Sequence, residues 1–288
     1  MKKICYAVFA LVMFASCEDM LGDDTNLSTG DIVKGLKEAL NVGTDSSTTM
    51  LSVANGYYGD AAVKILLPQE AQYIQEKTRL LDNVWSGTSD VIDAKLEQLI
   101  EAINRSAEDA AKDAKPIFSE AITNLSITDG LQILNGEVPG STMKSATDFD
   151  SLAATTYLKM QTYDALVGAY SPKVNAALGK KFVGNASAAS IWAEVVGKWN
   201  GIYQKCENNK GAVKLGLAFL GKSYDDLNLH EVNTDLGEFT TQKALDGLFL
   251  KVGDQEKAIR KNPFQWASDI IKKVFGSVYE ALGGNTDE

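Results

Sequence analysis

The side chains able to do chemistry are few. The sequence holds one histidine, His230, and three cysteines, Cys5, Cys17 and Cys206. A cysteine nucleophile needs a base beside it, and zinc needs several N or S ligands in close array. Cys206 with His230 is the thiol–imidazole pairing to weigh, since Cys5 and Cys17 fall among the first residues, which read as an address. Thiols and imidazoles are too scarce for such a metal centre, so no metal and no cofactor is expected. There is no D-x-D-x-D-G loop, no G-x-x-x-x-G-K-[ST], no G-x-G-x-x-G after a strand and no G-x-S-x-G. Carboxylates remain. General acid–base work needs two of them in different environments. Glu108, Asp109, Asp129 and Asp246 qualify by type alone, so no catalytic residue is assigned.

Arginine is scarce: Arg79, Arg105 and Arg260 stand against 25 lysines. A chain that prefers lysine can reserve its arginines for planar, two-pronged pairing. Glu256 and Arg260 lie four apart, a spacing that pairs on one helix face. One reading is a surface ion pair worth under about 1 kcal/mol. The other sets Arg260 near the Asn262-Pro263 break, holding a carboxylate of a neighbouring helix or of a ligand.

The first residues read as an address. Met1-Lys2-Lys3 is a positive start, and Ile4 to Phe14 is an apolar run too short for a permanent span, which needs about 20 residues. Ala15-Ser16-Cys17 follows and resembles a bacterial lipobox, with Phe14 where Leu is usual. An ordinary secretory cleavage site with an incidental cysteine is the bland alternative. The expectation is a lipoprotein signal peptide over residues 1–16, a lipidated (palmitate-bearing) Cys17 and a flexible tether over 17–30. The acidic run Glu18-Asp19 and Asp23-Asp24 resembles a surface-export tether and equally suits a plain solvated linker. The protein is thus expected to be exported to the cell envelope as an outer-membrane lipoprotein, periplasmic or surface-facing.

The elements that must position these residues are mostly helices. Apolar residues at steps of three and four define them. Ile32, Leu36 and Leu40 predict a helix ending near Gly43. Another is expected from Gln69 to Leu81. The clearest starts near Asp90 and carries Ile92, Leu96, Leu99, Ile103, Ala107, Ala110 and Ala114. Ser126–Asp129 and Thr147–Asp150 match capping boxes. Pro172 should break or kink the helix that the second box opens. Further helices are expected over Ser187–Tyr203, Thr240–Arg260 and Phe264–Leu282. Val63 to Pro68 looks extended, because the residue before proline avoids helix. Residues 207–233 have no clear period. The fold class is therefore all-α: a single-domain multi-helix bundle over 31–284, with at most a short extended segment near residues 62–68 and a tail at 285–288.

The chain has 288 residues, a net charge of −10 and 45% apolar residues. That apolar share excludes wholesale disorder. The acidic balance argues against nucleic acid, whose binders carry a basic footprint. One free cysteine beyond Cys17 excludes a disulfide scaffold. Loss of residues 1–16 would remove Lys2 and Lys3 and leave the chain two units more acidic.

Ten segments, in order, resemble one family. They are Gly35–Leu40, Gly56–Tyr58, Ala62–Pro68, Ala107–Lys112, Ala114–Phe118, Ile127–Gly136, Ala154–Leu158, Thr241–Phe249, Ile259–Pro263 and Lys273–Gly276. Together they are similar to the bacterial domain of unknown function 4197, over roughly residues 31–276. The resemblance implies an exported, single helical domain and supplies no catalytic residue. Residues 207–233 look like extra length. Polar residues in or beside these segments could line a groove for a ligand or partner: Tyr57, Tyr58, Lys64, Arg79, Lys115, Gln242, Lys243, Asp246 and Arg260. The common alternative is that they cap helices and satisfy buried backbone. The expected function is a lipid-anchored, non-enzymatic binding or scaffolding module whose partners are the membrane and an envelope protein or small ligand. A hydrolase with paired carboxylates and a structural outer-membrane lipoprotein are the alternatives.

Overall fold

Ser28 starts the first helix. Its hydroxyl accepts from the Asp31 N–H at 3.1 Å, and the Asp31 carboxylate accepts from the Ser28 N–H at 3.3 Å, a reciprocal capping box. In this computed structural model, which describes residues 27–82, 87–141, 149–281 and 283, the resulting helix α1 (Thr29–Leu51) runs past Gly43. The Thr44, Ser47 and Thr48 hydroxyls donate to the carbonyls of Leu40, Gly43 and Thr44. Polar side chains that look like a helix end are thus buried with their bonding satisfied inside the helix.

Helix α2 (Gln69–Leu81) matches its expected bounds. Helix α3 (Thr88–Ala111) begins after Gly87, at φ 85°, so Asp90 lies in the first turn and is not the cap. Its alanine-rich end is buried. Next come α4 (Ala114–Asn124) and the short α5 (Gly130–Leu134), where Asp129 precedes the helix without a side-chain cap bond. Helix α6 (Ala153–Leu178) carries Pro172 inside it without ending there. Buried Tyr170, Val174, Ala177 and Leu178 hold the helix across the missing backbone bond.

A two-stranded antiparallel ribbon, β1 (Lys181–Val183) with β2 (Ala186–Ser187), turns at Gly184. It corrects the expectation that any extended structure would be confined to residues 62–68. Ser187 then caps α7 (Ala188–Asn208), and α8 (Lys210–Phe219) follows.

The segment 228–234 is strapped to α7 by side chains acting as a partner strand. Trp199 donates to the His230 carbonyl, Asn200 exchanges both bonds with Val232, and Trp192 donates to the Thr234 carbonyl. The period of two is that of an extended chain.

Helix α9 (Leu236–Lys261) lies at the centre, against α1 and α6 and also touching α3 and α10. After a 3-10 turn at Pro263–Gln265, α10 (Asp269–Ala281) packs on α1. Phe264 thus sits in the turn and not in the last helix. A Cβ on Gly35 would lie 2.6 Å from Val274, so the α1–α10 approach needs glycine there.

One hydrophobic cluster draws from all ten helices found among the described residues. The fold is all-α, a single-domain bundle. No helix among the described residues is long and apolar enough to cross a membrane. The expected signal segment, Cys17, most of the expected tether, Thr147-Asp148, Leu282 and residues 284–288 lie outside the described residues.

Candidate functional site

Between the end of α1 and the start of α2, the chain turns at Asn55–Asp60 and again through Val63, where the Val63 and Lys64 N–H groups donate to the Asp60 carbonyl, and then extends from Lys64 to Pro68. Two buried side chains of α3 hold it there. Glu108 Oε1 accepts from the N–H of Tyr57 at 3.2 Å and of Tyr58 at 3.0 Å, while Oε2 pairs with Arg105 at 2.9 Å. Asn104 exchanges two bonds with Ile65, accepting from its N–H and donating to its carbonyl, each at 2.8 Å. Burial then alternates along the chain: Val63 and Ile65 point in, and Leu66 is 62% exposed.

Tyr57 is fully buried beneath α9, and its hydroxyl donates to the Ala244 carbonyl at 2.7 Å. Burial, with Tyr170 and Glu108 nearby, pushes its phenol far above the usual range. A Cβ on Gly247 would sit 2.7 Å from the Tyr57 ring, so glycine lets α9 settle on it. The Tyr58 ring carries the Lys64 ammonium 4.0 Å from its centroid, and the Arg105 guanidinium lies 5.2 Å away.

This placement opens a cleft of about 440 Å³ between the extended segment and α9. Lys64, Leu66, Phe239, Lys243, Asp246 and Leu250 are among its walls. Asp246 and Leu250 also border a wider cleft of about 880 Å³ between α6 and α9, with Leu152, Lys159, Met160 and Tyr163. Asp246 accepts from Lys159 at 2.8 Å and from the Tyr163 hydroxyl at 3.3 Å. Burial and the Asp246 charge push the Tyr163 phenol up to about 12. Lys64 and Lys243 have no carboxylate partner among the described residues. Leu250 and Met160, 42% and 47% exposed, add apolar surface to the rims. The arrangement can bind a charged, partly apolar chain.

The nine residues expected to share a groove divide. Lys64, Lys243 and Asp246 meet in one cleft, Tyr57 and Tyr58 support it, and Gln242 sits beside it, bonded to Glu238. Three lie elsewhere. Arg79 pairs with Asp93 between α2 and α3, and Lys115 pairs with Asp45 between α4 and α1. Arg260 is buried, donating to Glu256 and to the carbonyls of Ile133 and Leu134. Its pair with Glu256 is therefore internal, not a surface contact.

Cys206 is buried, and burial with the Glu207 charge pushes its thiol up to about 11. His230 stacks on Tyr73, ring centroids 4.3 Å apart. Asp109 is raised by burial, but Lys112 and Lys180 outweigh this and hold it below the usual range. Asp129 contacts Thr128. Neither of the two clefts, nor a third of about 530 Å³ between α4 and α6, is lined by two of the four candidate carboxylates. Among the described residues, no group of three or more His, Cys, Asp or Glu could hold a metal ion.

Two of the segments that carry the family resemblance, Ala62–Pro68 and Thr241–Phe249, face each other across the smaller cleft. The family model described as protein of unknown function (DUF4197) matches residues 26–276. The chain belongs to this family. No curated protein and no solved structure matches it. In this DUF4197 member, sequence reasoning passed over Asn104, Lys159 and Tyr163. Asn104 was visible as a polar residue beside Ile103 in an apolar stripe, a position that demands a buried bonding partner. Lys159 and Tyr163 gave no such sign, because they matter only where α6 lies beside α9.

Proposed function

We propose that the protein is a lipid-anchored, exported envelope protein of the outer membrane. Its helical domain serves as a non-enzymatic binding or scaffolding module, and the clefts on either side of Asp246 are its binding surface. The anchor reading rests on the order Lys2-Lys3, apolar run, Ala15-Ser16-Cys17. One acyl chain holds a protein marginally, whereas several chains on one residue anchor it stably. The observation that carries the binding reading is the pair Lys64 and Lys243. Both stand in a cleft without a carboxylate partner among the described residues, in a chain whose net charge is −10.

The test joins anchor and cleft. The protein is expressed with radiolabelled palmitate, and partners are crosslinked in intact cells. Cys17→Ser is expected to lose the label and accumulate unprocessed. Lys64→Glu/Lys243→Glu is expected to keep the label and lose its crosslinked partner. A labelled, processed Cys17→Ser protein would overturn the anchor. An unchanged crosslinked partner in the charge variant would overturn the cleft.

A further inference from the structure

Ile65 uses the edge of the extended segment that faces α3: both of its backbone groups bond Asn104. In an extended chain, the N–H and C=O of successive residues point to opposite edges. The backbone groups of Lys64 and Leu66 therefore face away from Asn104. The Lys64 N–H closes the preceding turn on the Asp60 carbonyl at 2.8 Å. The Lys64 carbonyl and both backbone groups of Leu66 have no partner among the described residues. The smaller cleft runs along this segment, and no α3 residue lines it. Three free backbone groups in a row are what a strand edge offers an incoming chain.

The surroundings state which chain. Lys64, whose ammonium rests on the Tyr58 ring, and Lys243 are the cleft charges without a carboxylate partner among the described residues, while the Asp246 charge is offset by Lys159 at 2.8 Å. Leu66, Phe239 and Leu250 supply apolar wall. On a chain this acidic, such a cleft is a local positive site. Screening over about 8 Å at physiological salt keeps it distinct from the remaining charge.

We propose that the free edge of Lys64–Leu66 receives an extended acidic peptide as an added strand. Its carboxylates meet Lys64 and Lys243, and its apolar side chains meet Leu66 and Leu250. Backbone pairing supplies general affinity, and the lysines select for acidity. The inference rests on the reading of this cleft as the binding surface, and goes beyond it in mode and partner chemistry.

The test uses the full chain in detergent and a pool of capped fluorescent heptapeptides that mix Glu with Val, Leu and Tyr in every order, so that one strand face can carry an acid and an apolar side chain two residues apart, read by anisotropy. Binding is expected, with loss in Lys64→Glu/Lys243→Glu. Leu66→Pro, read against Leu66→Ala to set aside the lost side-chain contact, removes one N–H that bonds nothing, at an exposed position. It should weaken binding about tenfold, one good hydrogen bond, with the melting curve unchanged. N-methylating the peptide residue opposite Leu66 should do the same on the native protein, which covers the case of a variant that fails to fold. If the charge variant loses binding while Leu66→Pro and the N-methyl peptides bind as before, the cleft reading stands and strand addition is overturned. If no peptide in the pool binds, or if the same pool with Lys in place of Glu binds equally well, the acidic-peptide proposal is overturned, while the in-cell crosslink remains the separate test of the cleft.

Discussion

Removing the Glu256 carboxylate tests how the bundle is tied together. Its Oε1 accepts from the Ala154 N–H at 2.9 Å and its Oε2 from the Thr155 N–H and hydroxyl, each at 2.7 Å. These are the first free donors of α6, so Glu256 caps that helix from across the core. Arg260 donates to the same carboxylate at 2.9 and 2.8 Å, and caps α5 by donating to the Leu134 carbonyl at 2.6 Å and the Ile133 carbonyl at 2.9 Å. Both side chains are buried, and Phe275 lies 5.2 Å from the guanidinium.

Glu256→Ala strands the Arg260 charge and uncaps α6. Breaking a buried pair from one side costs about 3–5 kcal/mol. A domain of this size would then melt roughly 6–20 °C lower, at about 2–4 °C per kcal/mol. Glu256→Ala/Arg260→Met removes the stranded charge as well. The two changes should therefore couple by at least about 1.5 kcal/mol, leaving the double variant more stable than the sum of single losses predicts. Urea unfolding followed by circular dichroism reads all four proteins, with an unchanged slope confirming comparable transitions. A loss below about 1 kcal/mol for Glu256→Ala, the value of a surface pair, would refute the reasoning. So would strictly additive single losses.

Three further outcomes are expected. Hydrogen bonds from Lys273 and Ser28 hold the Asp31 carboxyl down at about 2, so its contribution is present above about pH 4 and fades as pH falls towards 2. An NMR titration should show this midpoint, and Lys273→Ala should move it up; an unmoved midpoint would refute the assignment. The raised Cys206 thiol stays protonated at neutral pH, so its labelling by iodoacetamide, followed by peptide mass spectrometry, should wait for unfolding. Rapid native labelling would contradict its burial. Asn104→Ala unpairs both backbone groups of Ile65 and should cost about 2 kcal/mol, within the penalty for orphaned buried groups. A change under about 0.5 kcal/mol in urea unfolding would show that the extended segment does not depend on that clamp.

Much of the bundle was legible because helix formation and burial leave a local trace. The stripe from Ile92 through Leu96 and Leu99 to Ala110 predicts α3, and each of these residues is buried. Local signals failed where a neighbour outweighed them. The Ser-Thr run after Gly43 continues α1, since its hydroxyls bond back into the helix and Gly43 packs against Val252. The Ala154 and Thr155 N–H groups that open α6 are capped by Glu256, about a hundred residues away, which no local signal records, while the nearby Asp150 accepts from the Leu152 N–H just before the helix. For the same reason the spacing of Glu256 and Arg260 leaves a surface pair and a held, interior contact both open: a spacing of four says which residues meet and nothing about what covers them.

The sequence by itself determined the helical class, the apolar faces, the family and the scarcity of reactive groups, because these follow from composition, period and residue order. Only the tertiary structure decided which polar residues share a surface. It buried Arg260, sent Arg79 and Lys115 to separate helix pairs, and brought Lys64 to Lys243 and Asp246 across one cleft. That choice depends on long-range packing, above all on Tyr57 beneath Gly247 and on Asn104 and Glu108 holding a segment about forty to fifty residues away. No spacing along the chain records it.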